Sequence, residues 1–238
     1  MFDKYVKNAI KELIFELSKN PLLYFSEKSL QVRLAAKLIK YPEFSTPIQT
    51  NLCERYKRNI KKLGSKKSYL DNALSVPPLQ MEYGINESGP YRVDIAILDP
   101  NDIKLINNWQ FQIGEKYLDP LIGIEIGTEK SGAKNMCNDH LQNDAFKLKN
   151  SKSGYILNVM RNHNVGQKHN DRYKKKLVQF ESFKNGLKNI SSKYANINWI
   201  GLIIHIAYQE VEFFDVDNEW KTFNIPSEDF EKAVNKKL

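Results

Sequence analysis

The chain has only two cysteines, Cys53 and Cys137, in 238 residues. That excludes a disulfide framework and sets a reduced, cytoplasmic location as the expectation. No run approaches 18 consecutive apolar residues, so the sequence offers no transmembrane helix. The opening MFDKYVKNAIKELIFELSK mixes acids and bases among its apolar positions, unlike a secretory signal. The four histidines form no HExxH and the cysteines no CxxC, so the usual zinc patterns are missing. There is also no Walker A sequence, no GxGxxG and no GxSxG. Nucleoside-triphosphate hydrolysis, dinucleotide binding and serine-esterase chemistry thereby lose their usual support. Without an internal repeat or a long low-complexity linker, residues 1–238 read as a single domain.

What is present is 41% hydrophobic and 27% charged, with 12 Tyr, 12 Phe and 3 Trp, the composition of an ordinary globular chain. Thirty-six Lys and Arg face 28 Asp and Glu, a net charge of +8. Residues 51–67 hold seven bases and one acid, residues 168–193 hold eight bases and two acids, and residues 208–231 hold eight acids and a single Lys. A molecule polarised in this way is expected to meet phosphate on one face; solvated helix faces are the plainer alternative.

Val6, Ala9, Ile10, Leu13, Ile14 and Leu17 keep the spacing of a helix with one buried stripe, which Asn20-Pro21 stops. Ser26 is a candidate cap for a second helix, lined by Leu30, Leu34, Ala35 and Leu38, with Glu27 in its first turn. Residues 45–78 suggest a short strand near Ile48 and a basic helical segment from Glu54 to Leu63. Leu79, Met81, Tyr83 and Ile85 alternate with polar residues, and the alternation resumes from Tyr91 to Leu98, which predicts a hairpin of two strands. Asp99-Pro100-Asn101-Asp102 is read as the end of the second strand, and 101–119 as a polar insert anchored by Trp109 and Phe111. Further strands are expected over Leu121–Ile126, Gly154–Met160, Asn198–Ala207 and Glu210–Val216. Helices are expected over 138–149, over 171–190 with Tyr173, Leu177, Phe180 and Leu187 on one face, and after Pro226-Ser227. The 171–190 helix is interrupted on that face by Lys184, and Asn185-Gly186 is a possible early end. This order predicts an α/β chain with a mixed central β-sheet flanked by helices.

The sharpest chemical feature is a pair of carboxylates on strands built largely from Ile and Val. Asp94 is expected to face away from Val93, Ile95 and Ile97, and Glu125 away from Ile122, Ile124 and Ile126. A carboxylate near the core of a sheet is costly unless it is paired, hydrogen-bonded or bound to metal. Two on neighbouring strands repel each other, and a divalent cation removes that repulsion. Oxygen-only ligation suits Mg²⁺. The alternative is that Asp94 pairs with Arg92 and Glu125 caps a sheet end.

Glu27 in an early helix, YRVDIAI around Asp94 after the Met81-Glu82-Tyr83 strand, and Ile124-Glu125-Ile126 before a helix together resemble the PD-(D/E)XK nuclease superfamily. The similarity runs over roughly residues 26–160. It implies a restriction-endonuclease-like fold, with Asp94 and Glu125 as Mg²⁺ ligands and Glu27 as an accessory ligand or water orienter. The implied function is Mg²⁺-dependent hydrolysis of DNA phosphodiester bonds, type II restriction enzymes included. A homodimer is the assembly a symmetric target implies. The pattern's lysine, two residues after the Glu, is replaced by Gly127. Lys130 is the first candidate to replace it, with Lys134 and Lys147 as others. QNDAF, Gln142 to Phe146, is similar to a Gln-x-x-x-Tyr motif of some branches, which makes Gln142 a candidate for orienting the site. His140 is a candidate proton shuttle and shares a helix face with Asp144. Lys134, Arg161, Lys168 and Arg172 are candidate phosphate contacts, with Arg161, His163, Lys168, His169 and Arg172 placed in a basic segment after the strand ending at Met160. His205, within a strand, reads as structural. Two other functions remain open, a non-catalytic nucleic-acid-binding protein on the same fold and a structural or interaction protein.

Overall fold

The computed structural model describes residues 2–22, 26–50, 75–85, 91–105, 118–128, 140–162 and 171–238, without the side chains of 171–176. The first helix, α1 (Phe2–Lys19), buries Val6, Ala9, Ile10, Leu13, Ile14 and Leu17, the full apolar stripe. Helix α2 (Glu27–Leu38) starts where Ser26 Oγ accepts the Ser29 N–H, which satisfies one of the orphan donors of the first turn. The two helices are tied by Glu16, which takes Lys37 at 2.8 Å and Arg33 at 2.6 Å. A single turn, α3 (Pro42–Ser45), and a two-stranded ribbon of β1 (Ile48–Gln49) and β2 (Ser75–Val76) follow. The basic segment 54–63 lies outside the described residues.

The centre of the molecule is a seven-stranded mixed sheet in the order β3 (Leu79–Gly84), β4 (Arg92–Ile97), β5 (Ile122–Thr128), β6 (Ser153–Asn162), β7 (Ile197–His205), β8 (Glu210–Phe214) and β9 (Trp220–Asn224). Strands β5, β6 and β7 run parallel; every other pairing is antiparallel. Parallel neighbours need crossover connections, and helices α5 (Leu141–Leu148) and α6 (Asp171–Ser191) supply them. Between β4 and β5 lies a short helix, α4 (Pro100–Leu105), and at the end comes α7 (Glu228–Lys237), where Ser227 Oγ accepts the Phe230 N–H.

Two cores sandwich the sheet. On one face α1, α2 and α7 cover Ile95, Ile97, Ile122, Ile124, Ile126, Leu157 and Leu202. On the other, Leu141, Ala145 and Leu148 of α5 and Phe180, Phe183 and Leu187 of α6 cover Val93, Ala96, Ile156, Met160 and Ile203. The chain is thus α/β with a mixed central sheet flanked by helices. No helix among the described residues is long and apolar enough to cross a membrane.

The structure corrects several local expectations. Asp99–Asp102 follows the strand and enters α4, whose Ile103 is fully buried, so the start of the 101–119 insert is helical. Trp109 and Phe111 lie outside the described residues. Thr128 belongs to β5 rather than to a loop. β6 continues to Asn162, so Arg161 is a strand residue and not part of a loop. Arg172 is the second residue of α6. That helix runs past Asn185-Gly186, and its buried face is Phe180, Phe183, Leu187 and Ile190; Leu177 is 40% exposed. The chain leaves β7 at His205 into a 3-10 turn over Ile206–Tyr208, two residues before the expected end, and β9 is an additional strand.

Candidate active site

Strands β4 and β5 pair as Ile97↔Ile122, Ala96↔Gly123 and Ile95↔Ile124. The next pair in that antiparallel register is Asp94 and Glu125, and regular pairing stops one step short of it. There the Asp94 side chain replaces a backbone acceptor: its Oδ2 takes the Ile126 N–H at 2.7 Å. Opposed positions on such strands bring Cβ atoms to roughly 5 Å. Facing is also disturbed at this point. Val93 packs with Ala96 and Leu98 in the core under α5 and α6, whereas Ile95 and Ile97 pack in the other. The expectation that Val93, Ile95 and Ile97 share one face is therefore corrected. On the other side of β4, Glu82 has a left-handed φ of 51°, and its carboxylate pairs with Lys28 of α2.

Glu125 lies between Gly123 and Gly127 on the β5 face that meets α5, since a Cβ at Gly123 would strike Leu148. From that helix Lys147 Nζ reaches Glu125 Oε2 at 2.7 Å and Asp144 Oδ1 at 3.1 Å. His140 Nδ1 stands 3.2 Å from Asp144 Oδ2. Asp94 is 8% exposed, Glu125 2% and Asp144 1%. Burial pushes the Asp94 carboxyl up to about 6, opposed by the Ile126 N–H and Lys147 and reinforced by the charges of Glu27 and Asp144. Burial, together with the charges of Asp94 and Asp144, pushes Glu125 well above the ordinary carboxylate range despite Lys147. Asp144 is buried too, yet His140 and Lys147 hold it below that range. For Lys147 burial favours the neutral amine, but the charges of Glu125 and Asp144 outweigh it and keep the side chain an ammonium.

The cluster therefore carries three buried carboxylates around one ammonium. Two of the three resist ionisation, and Glu125 Oε1 has no hydrogen-bond partner among the described residues. Excess negative charge, oxygen donors and a buried carboxylate oxygen without a hydrogen-bond partner among the described residues fit a hard divalent cation. Among the described residues no three His, Cys, Asp or Glu side chains converge closely enough to form a complete metal cage. The fit is accordingly to an ion that takes two carboxylates and completes its shell with water and substrate, as Mg²⁺ does.

Of the residues singled out from sequence, Asp94 senses the charge of Glu27, and Glu125 that of Asp94. Glu27 is the first residue of α2, half-buried, within reach of Asp94 by charge rather than as a third member of a cage. Gln142 is exposed on the outer side of α5 and does not join the cluster. Lys130, Lys134, His163, Lys168 and His169, and also Cys137, lie outside the described residues. His205 sits at the end of β7, its Nε2 on Glu212 Oε1 at 2.8 Å. Sequence reading ranked Lys130 above Lys147 by chain proximity. The signal for Lys147 was helical: Asp144 and Lys147 are three apart, on a face that also carries the apolar positions Leu141, Ala145 and Leu148. Asn158, across from Gly127 on β6, was missed altogether.

A cleft of about 730 Å³ lies elsewhere, between the end of α1 and the β7–β8 and β9–α7 connections, and none of these site residues lines it. Searches of protein-family models, curated proteins and solved structures find no match to this chain.

Proposed function

We propose that this chain is a Mg²⁺-dependent nuclease that hydrolyses phosphodiester bonds in DNA, built on a restriction-endonuclease-like fold in which Lys147 takes the part of the missing strand lysine. One observation carries the reading: Asp94 and Glu125 meet as the next register pair where β4 and β5 part, with an ammonium from the following helix on Glu125. The run of helix α2, antiparallel β3, β4 and β5, helix α5 and parallel β6 supports it further, as does the net charge of +8 toward a polyanion.

Asp94 and Glu125, through an Oε1 unpartnered among the described residues, are the residues that would hold the cation. The chemistry that such an ion supplies when bound is polarisation of the phosphate, a lower pKa for the attacking water and compensation of charge on the departing 3′ oxygen. Lys147 is already protonated, so it takes no proton from water. It fixes the rotamer of Glu125 and sets a positive charge beside the reacting phosphate. Glu27, whose charge Asp94 senses, orients water on the α2 side. Cutting both strands of a symmetric duplex calls for two such sites related by a two-fold axis, so a homodimer goes with this reading.

The test is incubation of purified protein with supercoiled plasmid, with Mg²⁺ or with chelator. The wild type is expected to relax or linearise the plasmid only with Mg²⁺. D94A and E125A are expected to lose cleavage by at least about 100-fold while still shifting DNA in a gel. Equal cleavage by wild type and D94A would overturn the proposal.

A further inference from the structure

Gly127 stands two residues after Glu125, on the same face of β5, and the space above it is filled. Its register partner on the parallel strand β6 is Asn158, and a Cβ built on Gly127 would clash with Asn158 Oδ1, far closer than van der Waals contact allows. The neighbours of Asn158 on alternate positions, Ile156 and Met160, face the α5 and α6 core, so its carboxamide lies in the same layer as Glu125. The side chain is only 4% exposed, and its Nδ2 has no hydrogen-bond partner among the described residues. A buried amide donor left without an acceptor is unfavourable, whereas an apolar side chain of the same shape carries no such penalty. Natural interiors rarely tolerate such a group without a use for it.

We propose that Asn158 binds the scissile phosphate: its Oδ1 fills the space above Gly127, and its Nδ2–H, turned away from that glycine, donates to a non-bridging oxygen beside Glu125. The inference rests on the nuclease reading above and deepens it. A carboxamide cannot take a proton from water, so Asn158 acts as a neutral donor that strengthens as charge builds on the phosphate oxygen. Water attacks phosphorus, the bond from phosphorus to the 3′ oxygen breaks, and the proton balance is closed by solvent. The glycine follows from this arrangement, since any side chain at 127 would displace the carboxamide.

The experiment compares wild type, N158L, N158A and D94A on a DNA duplex carrying one cleavage site, with melting temperatures measured in parallel. N158L keeps the branched shape and removes the orphan donor. Its kcat is expected to fall about 100-fold with KM within about threefold, while its melting temperature holds or rises. N158A, which tests the same loss without a bulkier apolar tip, is expected to match N158L in kcat. A stereospecific phosphorothioate at the scissile position should slow the wild type and have a reduced effect on both variants. If D94A abolishes cleavage but N158L and N158A keep wild-type kcat, Asn158 is a packing residue and this inference alone fails. If both lose activity only together with melting temperature, the inference also fails. If the wild type shows no Mg²⁺-dependent cleavage, the nuclease reading falls and takes this one with it.

Discussion

Replacing Asp94 by Asn should stabilise the cation-free protein at neutral pH, and the size of the effect follows from burial. The folded carboxyl titrates near 6 instead of at its ordinary 3.8. Well below pH 4 it is protonated whether the chain is folded or unfolded, and burial costs little. Between about 4 and 6 the unfolded chain releases the proton first, so folded stability falls as pH rises. Above 6 the loss is complete, and the gap between the two titration points corresponds to about 3 kcal/mol. D94N keeps the shape, and its amide oxygen can still accept the Ile126 N–H, which wild-type Asp94 holds at 2.7 Å. Allowing for relaxation, we expect D94N to gain about 2–3 kcal/mol at pH 7.5 in chelator, about 5–10 °C in melting temperature for a domain of this size, and almost nothing at pH 4. Added Mg²⁺ should raise the melting temperature of the wild type and leave D94N nearly unmoved, because only a ligand of the folded state stabilises it. The assay is a thermal melt across pH 4–8 for both proteins, with and without Mg²⁺. An equal melting temperature at pH 7.5 in chelator, or a gap that persists unchanged at pH 4, would show that burial of the Asp94 charge is not the cost we derive.

K147M leaves Glu125 and Asp144 buried without their ammonium and should lose about 3–5 kcal/mol of stability; E125Q in the same chain should recover part of it, as read by urea denaturation at pH 7.5. G127A forces the Asn158 carboxamide aside and should cost about 1–3 kcal/mol, and the double variant G127A/N158G should melt above G127A alone. Ser227→Ala removes the acceptor of the Phe230 N–H and should lower stability by about 1 kcal/mol without altering cleavage of plasmid. E125Q should reduce Mg²⁺-dependent stabilisation at least as strongly as D94N, as measured by the shift in melting temperature on titrating Mg²⁺.

The helix α1 stripe, the Ser26 cap, the helix start at Pro226-Ser227 and the β3–β4 hairpin were legible because each writes a local rule in consecutive residues: a 3.6-residue period, a hydroxyl before an apolar run, a proline stop, alternation on either side of a turn. Asp94 and Glu125 stood out for the opposite reason, as charges where alternation demanded a cost. Helix α4 was illegible because Asp99-Pro100 reads equally as a strand stop and as a helix start, and only Ile103 marks its inner side. Strand β9 is an edge strand whose residues are half-buried or exposed, so it shows little alternation. Lys147 lies 22 positions after Glu125, and only the crossover that returns α5 over β5 brings them together. Asn158 hid inside a run of apolar residues on β6, and its significance depends on register with Gly127, which no single strand encodes.

Helix α5 is eight residues long and holds to the sheet through Leu141, Ala145 and Leu148. Yet it delivers the ammonium that pairs with Glu125 and whose charge Asp94 senses. A folding chain whose strands have already joined but whose short crossover has not settled leaves Glu125 facing solvent, so docking α5 buries the carboxylate and brings its counter-charge in one event. Seating that small segment therefore decides whether the charge pair forms at all, and conservative changes at Leu141 or Leu148 should loosen the contact of Lys147 with Glu125 before they cost secondary structure.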